Sequence, residues 1–274
     1  MSRRRVLITG AAGGMGRACA RLLGAAQDLV LTDHPASTLE SFSDELRQEG
    51  YGVAAVHLGD LRDDALLRSL AQDLPEAPFT LVHTAGLSPA LAGWREIMDV
   101  NLVATEKLLQ VVEPRLQPGS VAVLISSAAG YRISAPAEAQ ALLANPLRAD
   151  FLDRIGVLVA SLADGRQGGA EGVSYSLSKQ ALHRICERRA AAWGARGARI
   201  VSVSPTLSLT PMGRQEIART PAAAAFARGA PLGRMGTAMD VAAAVRFLTG
   251  DDASFISGCD LRVDGGSLAA SLHG

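Results

Sequence analysis

Short apolar runs alternate along the chain with longer stretches in which apolar residues recur at three- and four-residue intervals. The runs Val6–Thr9, Leu29–Thr32, Val53–Leu58, Phe79–Thr84, Val121–Ser126, Arg199–Ser204 and Asp260–Val263 read as strands of a buried sheet. Met15–Ala26, Thr38–Gln48, the stretch from Asp60 to Leu74, a segment carrying Val100-Asn101-Leu102, one carrying Tyr175 and Lys179, and Asp240–Leu248 read as the helices between them. Strand and helix in turn predict an α/β fold: a doubly wound, Rossmann-like parallel sheet with helices on both faces. In such sheets ligands bind beyond the carboxyl ends of the strands. The residues to inspect are therefore Gly10–Gly16, Asp33, Asp60, Ala85-Gly86, Ser126-Ser127 and Pro205–Thr210. Ser126 and Ser127 point to opposite faces while the chain stays extended, so only one of them can face a substrate.

Two segments break the alternation. From Ser127 to Tyr175 the chain runs 48 positions (175 − 127), far more than a strand-to-helix loop needs, and residues 131–172 are expected to form a helical insertion. Asn145-Pro146 reads as an N-cap followed by Pro at the first helical position. Leu147, Phe151, Ile155, Leu158 and Leu162 then recur at helical spacing up to Asp164-Gly165, and Pro136–Leu143 is a candidate for a shorter helix before it. The apolar stripe must be covered, either by the chain's own helices or at a subunit interface. The second segment, 206–236, is Ala-rich with Pro211, Pro221 and Pro231, and is expected to form a flap over the cleft.

The 274 residues, 48% hydrophobic and 20% charged, suffice for one large core, and 1–274 is read as a single domain. The formal net charge of +0 gives no electrostatic case for nucleic acid or an anionic membrane. Arg3-Arg4-Arg5 leads into an apolar strand and reads as a solvated strand start; with no leader or spanning pattern beside it, a cytoplasmic protein is expected. Cys19, Cys186 and Cys259 are scattered and odd in number, as for reduced thiols, with neither a disulfide framework nor a metal site. His57 and His83 lie near strand ends with no partner in view and read as packing residues.

Candidate chemistry gathers at two places. Thr9-Gly10-Ala11-Ala12-Gly13-Gly14-Met15-Gly16 joins the first strand to the first helix, an arrangement in which backbone N–H groups and the helix dipole face a phosphate. Its spacing is T-G-x-x-x-G-x-G. Asp33 ends the second strand about 20 residues further on, placed to accept hydrogen bonds from a ribose 2′-hydroxyl. A 2′-phosphate would meet like charge there, so Asp33 favours NAD over NADP, with Arg17 partly offsetting the repulsion. Further along, Tyr175 and Lys179 stand at i and i+4 on one helix face. A fixed ammonium beside a phenol is expected to favour the phenolate and lower its pKa. Lys107 and Lys179 are the chain's only lysines, and Arg would not offer the same compact head.

Jointly and in this order, these residues resemble the short-chain dehydrogenase/reductase family from Val6 to Gly266. Thr9–Gly16 has that family's glycine spacing, and Asn101, Ser127, Tyr175 and Lys179 align with its catalytic tetrad. Pro231–Gly236, Ile256-Ser257-Gly258 and Val263–Gly266 are similar to its C-terminal signature. The insertion, Arg189–Gly194 and the short connection from Gly86 to Asn101 resemble one branch, bacterial 3α-hydroxysteroid dehydrogenase/carbonyl reductase. Two departures stand out: Thr206 for the usual Gly after Pro205, and His83-Thr84 for the usual Asn pair before Ala85-Gly86.

The resemblance implies hydride transfer between NAD and the carbon of a secondary alcohol or ketone. Tyr175 would be the acid/base and Ser127 would hydrogen-bond the substrate oxygen. Lys179 would lower the Tyr175 pKa and hold the nicotinamide ribose, and Asn101 would support a water chain to Lys179. Gly10, Gly14, Met15, Gly16, Asp33, Ala85, Gly86 and Pro205 would line the cofactor, with Asp60 and Leu61 flanking the adenine and Ser208 and Thr210 meeting the carboxamide; no metal is called for. Leu87–Leu91, the insertion and the flap would line the substrate pocket, whose apolar residues imply only a largely apolar substrate; the resemblance implies a hydroxysteroid or similar bulky apolar alcohol. A homodimer or homotetramer is expected, through the Asp240 helix and the Asp260–Val263 strand. The alternatives are an NADP-linked, broad-range carbonyl reductase, separated by the coenzyme ratio, and a non-catalytic NAD-binding regulator, which would have no need of Tyr175 or Ser127. A nucleotide-sugar epimerase fits less well, since its turn usually reads T-G-x-x-G-x-x-G.

Overall fold

The structure, a computed structural model, describes residues 3–34, 36–166, 168–219 and 229–273. Strands β1 (Arg5–Thr9), β2 (Asp28–Asp33), β3 (Val53–Leu58), β4 (Phe79–His83), β5 (Val121–Ile125), β6 (Arg199–Pro205) and β7 (Asp260–Val263) fall within one residue of the expected bounds at each end. They form one parallel sheet in the order β3-β2-β1-β4-β5-β6-β7. Every residue of β4 and β5 is buried, which is why these runs carry hydrophobic residues on both faces instead of alternating. The described helices are α1 (Gly14–Gly24), α2 (Ala36–Gln48), α3 (Asp64–Gln72), α4 (Trp94–Met98), α5 (Ala104–Val112), α6 (Ala137–Leu143), α7 (Phe151–Ala163), α8 (Gly169–Gly194), α9 (Pro211–Arg219), α10 (Ala238–Thr249) and α11 (Ser267–His273).

Two cores flank the sheet. Cys19 and Leu23 of α1, Phe42 and Leu46 of α2 and Val245 and Leu248 of α10 pack on one face. Leu67 and Leu70 of α3, Leu108 of α5, Phe151 and Ile155 of α7 and Leu177 and Ile185 of α8 pack on the other. The strand order reverses between β1 and β4, so the crevice for a ligand opens beyond Thr9 and His83, which are register partners.

Three elements differ from expectation. The helix expected from Pro146 begins at Phe151, behind Asp150, and residues 146–150 form turns. Local cap chemistry gives way to burial here: Pro146 is buried, and with Leu147 it lines an open groove of about 460 Å³ that Leu67 of α3 and Val103 also border. The helix carrying Asn101 is not continuous, since a π-helical turn, Asp99–Val103, joins α4 to α5. Of the flap expected over 206–236, residues 220–228, Pro221 among them, lie outside the described residues. The described part holds α9, and its base is tied where Leu209 N–H donates to the Gly236 carbonyl at 2.8 Å. The short helix expected before α7 is present as α6. Of the two covers for the α7 stripe, the chain's own helices are the one seen: Phe151, Ile155 and Val159 are buried against α4 and α8.

Candidate active site

The glycine turn is shaped by two close approaches. Gly10 has φ +66°, and a Cβ on it would lie 2.7 Å from the Ala85 nitrogen at the end of β4. A Cβ on Gly16 would overlap the Gly10 carbonyl. The turn is closed by Gly13 N–H donating to Gly10 O at 3.1 Å, and Gly13, the N-cap residue of α1, offers no side-chain cap. The first N–H groups of the helix therefore remain available to an anion. Asp33 accepts from Ala12 N–H at 2.7 Å and His34 N–H at 2.6 Å, while burial raises its pKa against those bonds. Arg17 is engaged elsewhere, with Ala12 O at 3.0 Å, Glu45 at 3.3 Å and the Phe42 ring.

The other cofactor candidates divide. Ala85 meets Gly10, and Gly14 lies under Thr210, whose Cβ would be 2.9 Å from a Cβ on that glycine. Met15 is half-buried against the α1 side of the core, and Pro205 ends β6 opposite Val263. The Ser208 and Thr210 hydroxyls serve their own segment, Ser208 donating to Thr206 O at 3.0 Å and Thr210 accepting from Gly213 N–H at 3.1 Å. Asp60 is paired with Arg62, whose hydrogen bond lowers its pKa. Leu61 is buried in the core.

The tetrad residues come from β5, α8 and the π-helical turn. Ser127 continues β5 in extended conformation, accepts from Ala129 N–H at 3.2 Å and is near enough to the Tyr175 phenol to lower its pKa. Lys179 Nζ donates to Ile125 O at 3.0 Å and lies 5.7 Å from the centre of the Tyr175 ring. The Asn101 side chain brackets Leu87, accepting from its N–H at 2.7 Å and donating to its carbonyl at 3.0 Å. A Cβ on Gly86 would lie 3.2 Å from Asn101 Oδ1 and 3.4 Å from Lys179 Nζ, so these three meet beside Tyr175.

Burial, then the Glu216 carboxylate of α9, push the Tyr175 phenol up to about 12, against a lowering by Ser127. Burial pushes the Lys179 amine down to about 8. The expected lowering of the phenol by Lys179 is therefore not met in this arrangement. Spacing puts the two groups one turn apart, but the ammonium is turned to the Ile125 carbonyl, Lys179 is not among the groups that move the phenol, and desolvation dominates both.

Both histidines read as packing residues have polar partners. His57 Nε2 is 2.5 Å from Asp73 Oδ2. His83 links Thr9 (2.7 Å, Nδ1) to Thr105 (2.7 Å, Nε2), and Thr105 donates on to the Asn101 carbonyl at 2.9 Å. Thr105 has one proton and spends it on that carbonyl, so His83 carries its hydrogen on Nε2. Two groups escaped the sequence reading. Glu216 left no local signal. His183 stands one turn beyond Lys179 on the same face and meets Ser204 of β6, which with Ser202 forms an alternating polar pair in a strand otherwise apolar after Arg199. Among the described residues no group of His, Cys, Asp or Glu is arranged to hold a metal ion, and no helix is long and apolar enough to cross a membrane.

Comparison with known proteins agrees with this geometry. The short chain dehydrogenase family model matches residues 4–139, and the model described as enoyl-(acyl carrier protein) reductase matches 142–267. A short-chain dehydrogenase/reductase, bsc3, of Alternaria brassicicola is 30% identical over 98% of this chain and 97% of its own. Galactitol 2-dehydrogenase (L-tagatose-forming) of Cereibacter sphaeroides is 28% identical over 94% and 92%. The 3-alpha-hydroxysteroid dehydrogenase/carbonyl reductase of Comamonas testosteroni is 28% identical over 95% of both. The crystal structure of gox2181 superposes with a TM-score of 0.76 at 24% identity, covering 98% and 97% of the two chains. A glycine turn at the sheet's switch point, a Ser–Tyr pair with Lys one turn on, and relatives matched end to end lead to one assignment: the chain belongs to the short-chain dehydrogenase/reductase family and is an NAD(P)-dependent oxidoreductase of alcohols and ketones.

Proposed function

We propose that the chain interconverts a secondary alcohol and its ketone with NAD, and that its substrate is a hydroxysteroid or a similarly bulky, apolar alcohol. The observation that carries this reading is the approach of Ser127 to the Tyr175 phenol, whose pKa it lowers, with Lys179 Nζ 5.7 Å from that ring, at the carboxyl ends of the central strands. NAD fits the residues present: the uncapped start of α1 and the close-packed Gly10–Gly16 turn suit a diphosphate, and the Asp33 carboxylate at the end of β2 suits ribose hydroxyls. Arg17, tied to Glu45 and Ala12, offers little to a 2′-phosphate.

The bound nicotinamide would supply the acceptor for the hydride that leaves the carbinol carbon. Tyr175 takes the hydroxyl proton in the oxidation and returns it in the reduction, so the alcohol loses one hydride and one proton. Ser127 Oγ donates to the substrate oxygen, where charge develops. Lys179, whose ammonium now rests on the Ile125 carbonyl, would hold the nicotinamide ribose and favour the phenolate with its charge. Asn101 holds Leu87, and with it the β4 loop, against α8. The substrate class is supported by the hydroxysteroid relative and by apolar residues such as Leu87 and Leu91 beside the crevice. We further propose a homodimer through α10 and β7, because β7 is an open sheet edge and Phe247, Phe255 and Leu261 are exposed there. The unpaired Cys19, Cys186 and Cys259 suit a reducing, cytoplasmic setting.

The test is an NAD-coupled absorbance screen over steroid, terpene, small cyclic and polyol alcohols, run beside Tyr175→Phe. Turnover with the bulky alcohols is expected, with Tyr175→Phe inactive yet still binding NAD. Retained turnover in Tyr175→Phe would remove the acid/base role, and a polyol-only profile would remove the substrate class.

A further inference from the structure

Ser126, the neighbour of Ser127, points the other way into a buried polar cluster. Its hydroxyl donates to the Lys179 carbonyl at 2.8 Å and lies 2.9 Å from His183 Nε2. Ser204 Oγ is 2.9 Å from the same nitrogen and donates to Asp260 Oδ1 at 3.0 Å; Ser202 donates to that oxygen at 2.5 Å. Tyr131 donates to Asp260 Oδ2 at 2.8 Å, and its ring leans on the His183 imidazole with centroids 4.6 Å apart. Ser126 and Ser204 each have one proton, already given to Lys179 O and Asp260, so both must accept from His183 Nε2–H. The imidazole is therefore held in one tautomer, its single hydrogen shared between the ends of β5 and β6.

The cluster sits on the turn of α8 that carries Lys179. Ala128–Tyr131, a 3₁₀ turn after Ser127, lies directly on that helix: a Cβ on Gly130 would be 2.8 Å from Gln180 N and His183 Cε1. Burial lowers the His183 pKa and keeps the ring neutral; the charged groups facing it are Asp260 from β7 and Glu187, Lys179 and Arg184 from α8.

We propose that His183 is a positioning residue for the acid–base pair: through Ser126 it fixes the backbone of Ser127 against α8 and so sets the approach of Ser127 to the Tyr175 phenol. The inference rests on the reading of Ser127 and Tyr175 given above. His183 touches no reacting atom, and its effect reaches Tyr175 only through the position of Ser127.

The test uses the full chain with NAD and an active alcohol. Ser127→Ala, Tyr175→Phe, His183→Leu, His183→Gln and Ser126→Ala are compared by kcat, KM for NAD and the pH dependence of kcat. Loosening one hydrogen bond to the forming phenolate is worth about one pH unit or more. His183→Leu is therefore expected to move the acid limb up by about one unit and cut kcat about ten-fold below it, with KM for NAD unchanged. His183→Gln, whose amide can replace Nε2–H, is expected to restore the limb. Ser126→Ala is the smaller change and is expected to give the same shift, which keeps the test open should His183→Leu not fold. A lowered melting temperature with the limb in its wild-type place, in His183→Leu or Ser126→Ala, would overturn the proposal. So would a His183→Gln variant no better than His183→Leu. If Ser127→Ala and Tyr175→Phe keep full turnover, the acid/base reading itself has failed; if they lose it and His183→Leu leaves the limb alone, only the positioning role has.

Discussion

Replacing Lys179 by Met removes the charge beside Tyr175 while keeping an unbranched apolar stem. In the ligand-free protein the phenol stands at about 12 against an ordinary 10.0, so the phenolate is disfavoured by roughly 3 kcal/mol relative to water. A base working near pH 8 needs that value lowered by about four units, or ~5–6 kcal/mol. In the ligand-free protein Lys179 is turned to the Ile125 carbonyl and is not among the groups that move the phenol. Turned towards it at about the 5.7 Å that separates Nζ from the ring centre, a unit charge is worth ~3 kcal/mol at an effective dielectric of about 20. A bound, cationic nicotinamide would supply a second charge of that order. Two such charges meet the demand and one does not. Lys179→Met should therefore raise the acid-limb pKa of kcat by about two units and lower kcat at pH 8 by about 100-fold. The assay is the pH dependence of alcohol oxidation at saturating NAD. A near-ultraviolet difference titration of the phenolate accompanies it, with Tyr175→Phe as blank. An acid limb that stays in place in Lys179→Met would refute the electrostatic reasoning, and a change confined to KM for NAD would assign the lysine to ribose binding alone.

Three further outcomes are expected. His83 is buried and its pKa is pushed down to about 3, so as pH falls below its unfolded value near 6.5 the unfolded chain takes up the proton first. The stability it contributes is complete above that pH and is lost at ~1.4 kcal/mol per unit below it, about 3 kcal/mol by pH ~4.3. Urea midpoints across that range should show the slope in wild type and a flatter one in His83→Asn; equal slopes would contradict the assignment. Asp33→Ala is expected to lower kcat/KM with NAD and raise it with NADP, shifting the ratio at least ~10-fold through a lost charge-assisted hydrogen bond and a removed repulsion. A wild-type enzyme that already prefers NADP would remove Asp33 as the discriminator. Light scattering at micromolar concentration should give at least a dimer, and Phe247→Glu with Leu261→Glu a monomer; a monomeric wild type would exclude the α10/β7 interface.

Particular elements explain where the sequence reading stopped. The strands fall close to their expected bounds because a run such as Val121–Ile125, buried on both faces, has few other ways to hide its side chains. Asn145-Pro146 has good local cap chemistry, yet Asp150 starts the helix, and the turn between them buries Pro146 beside the groove bordered by α3 and α5. The π-helical turn at Asn101 accompanies a side chain locked to Leu87, a pairing that no local pattern announces. His183 was readable as a polar residue on the Tyr–Lys face, but its partners on β5, β6 and β7 were not.

By itself the sequence determined what depends on near neighbours: the period of the apolar residues, the glycine turn, the acid closing β2 and the one-turn spacing of Tyr175 and Lys179. Those follow from backbone geometry over a few residues, which distant contacts rarely change. Only the tertiary structure decided how deeply each group is buried and which remote atom it meets. The sign of the Tyr175 shift, the tautomers of His83 and His183 and the cover over α7 all belong to that second set. Desolvation and hydrogen-bond partners are supplied by chain segments far away in sequence, so their sum exists only once the fold has closed.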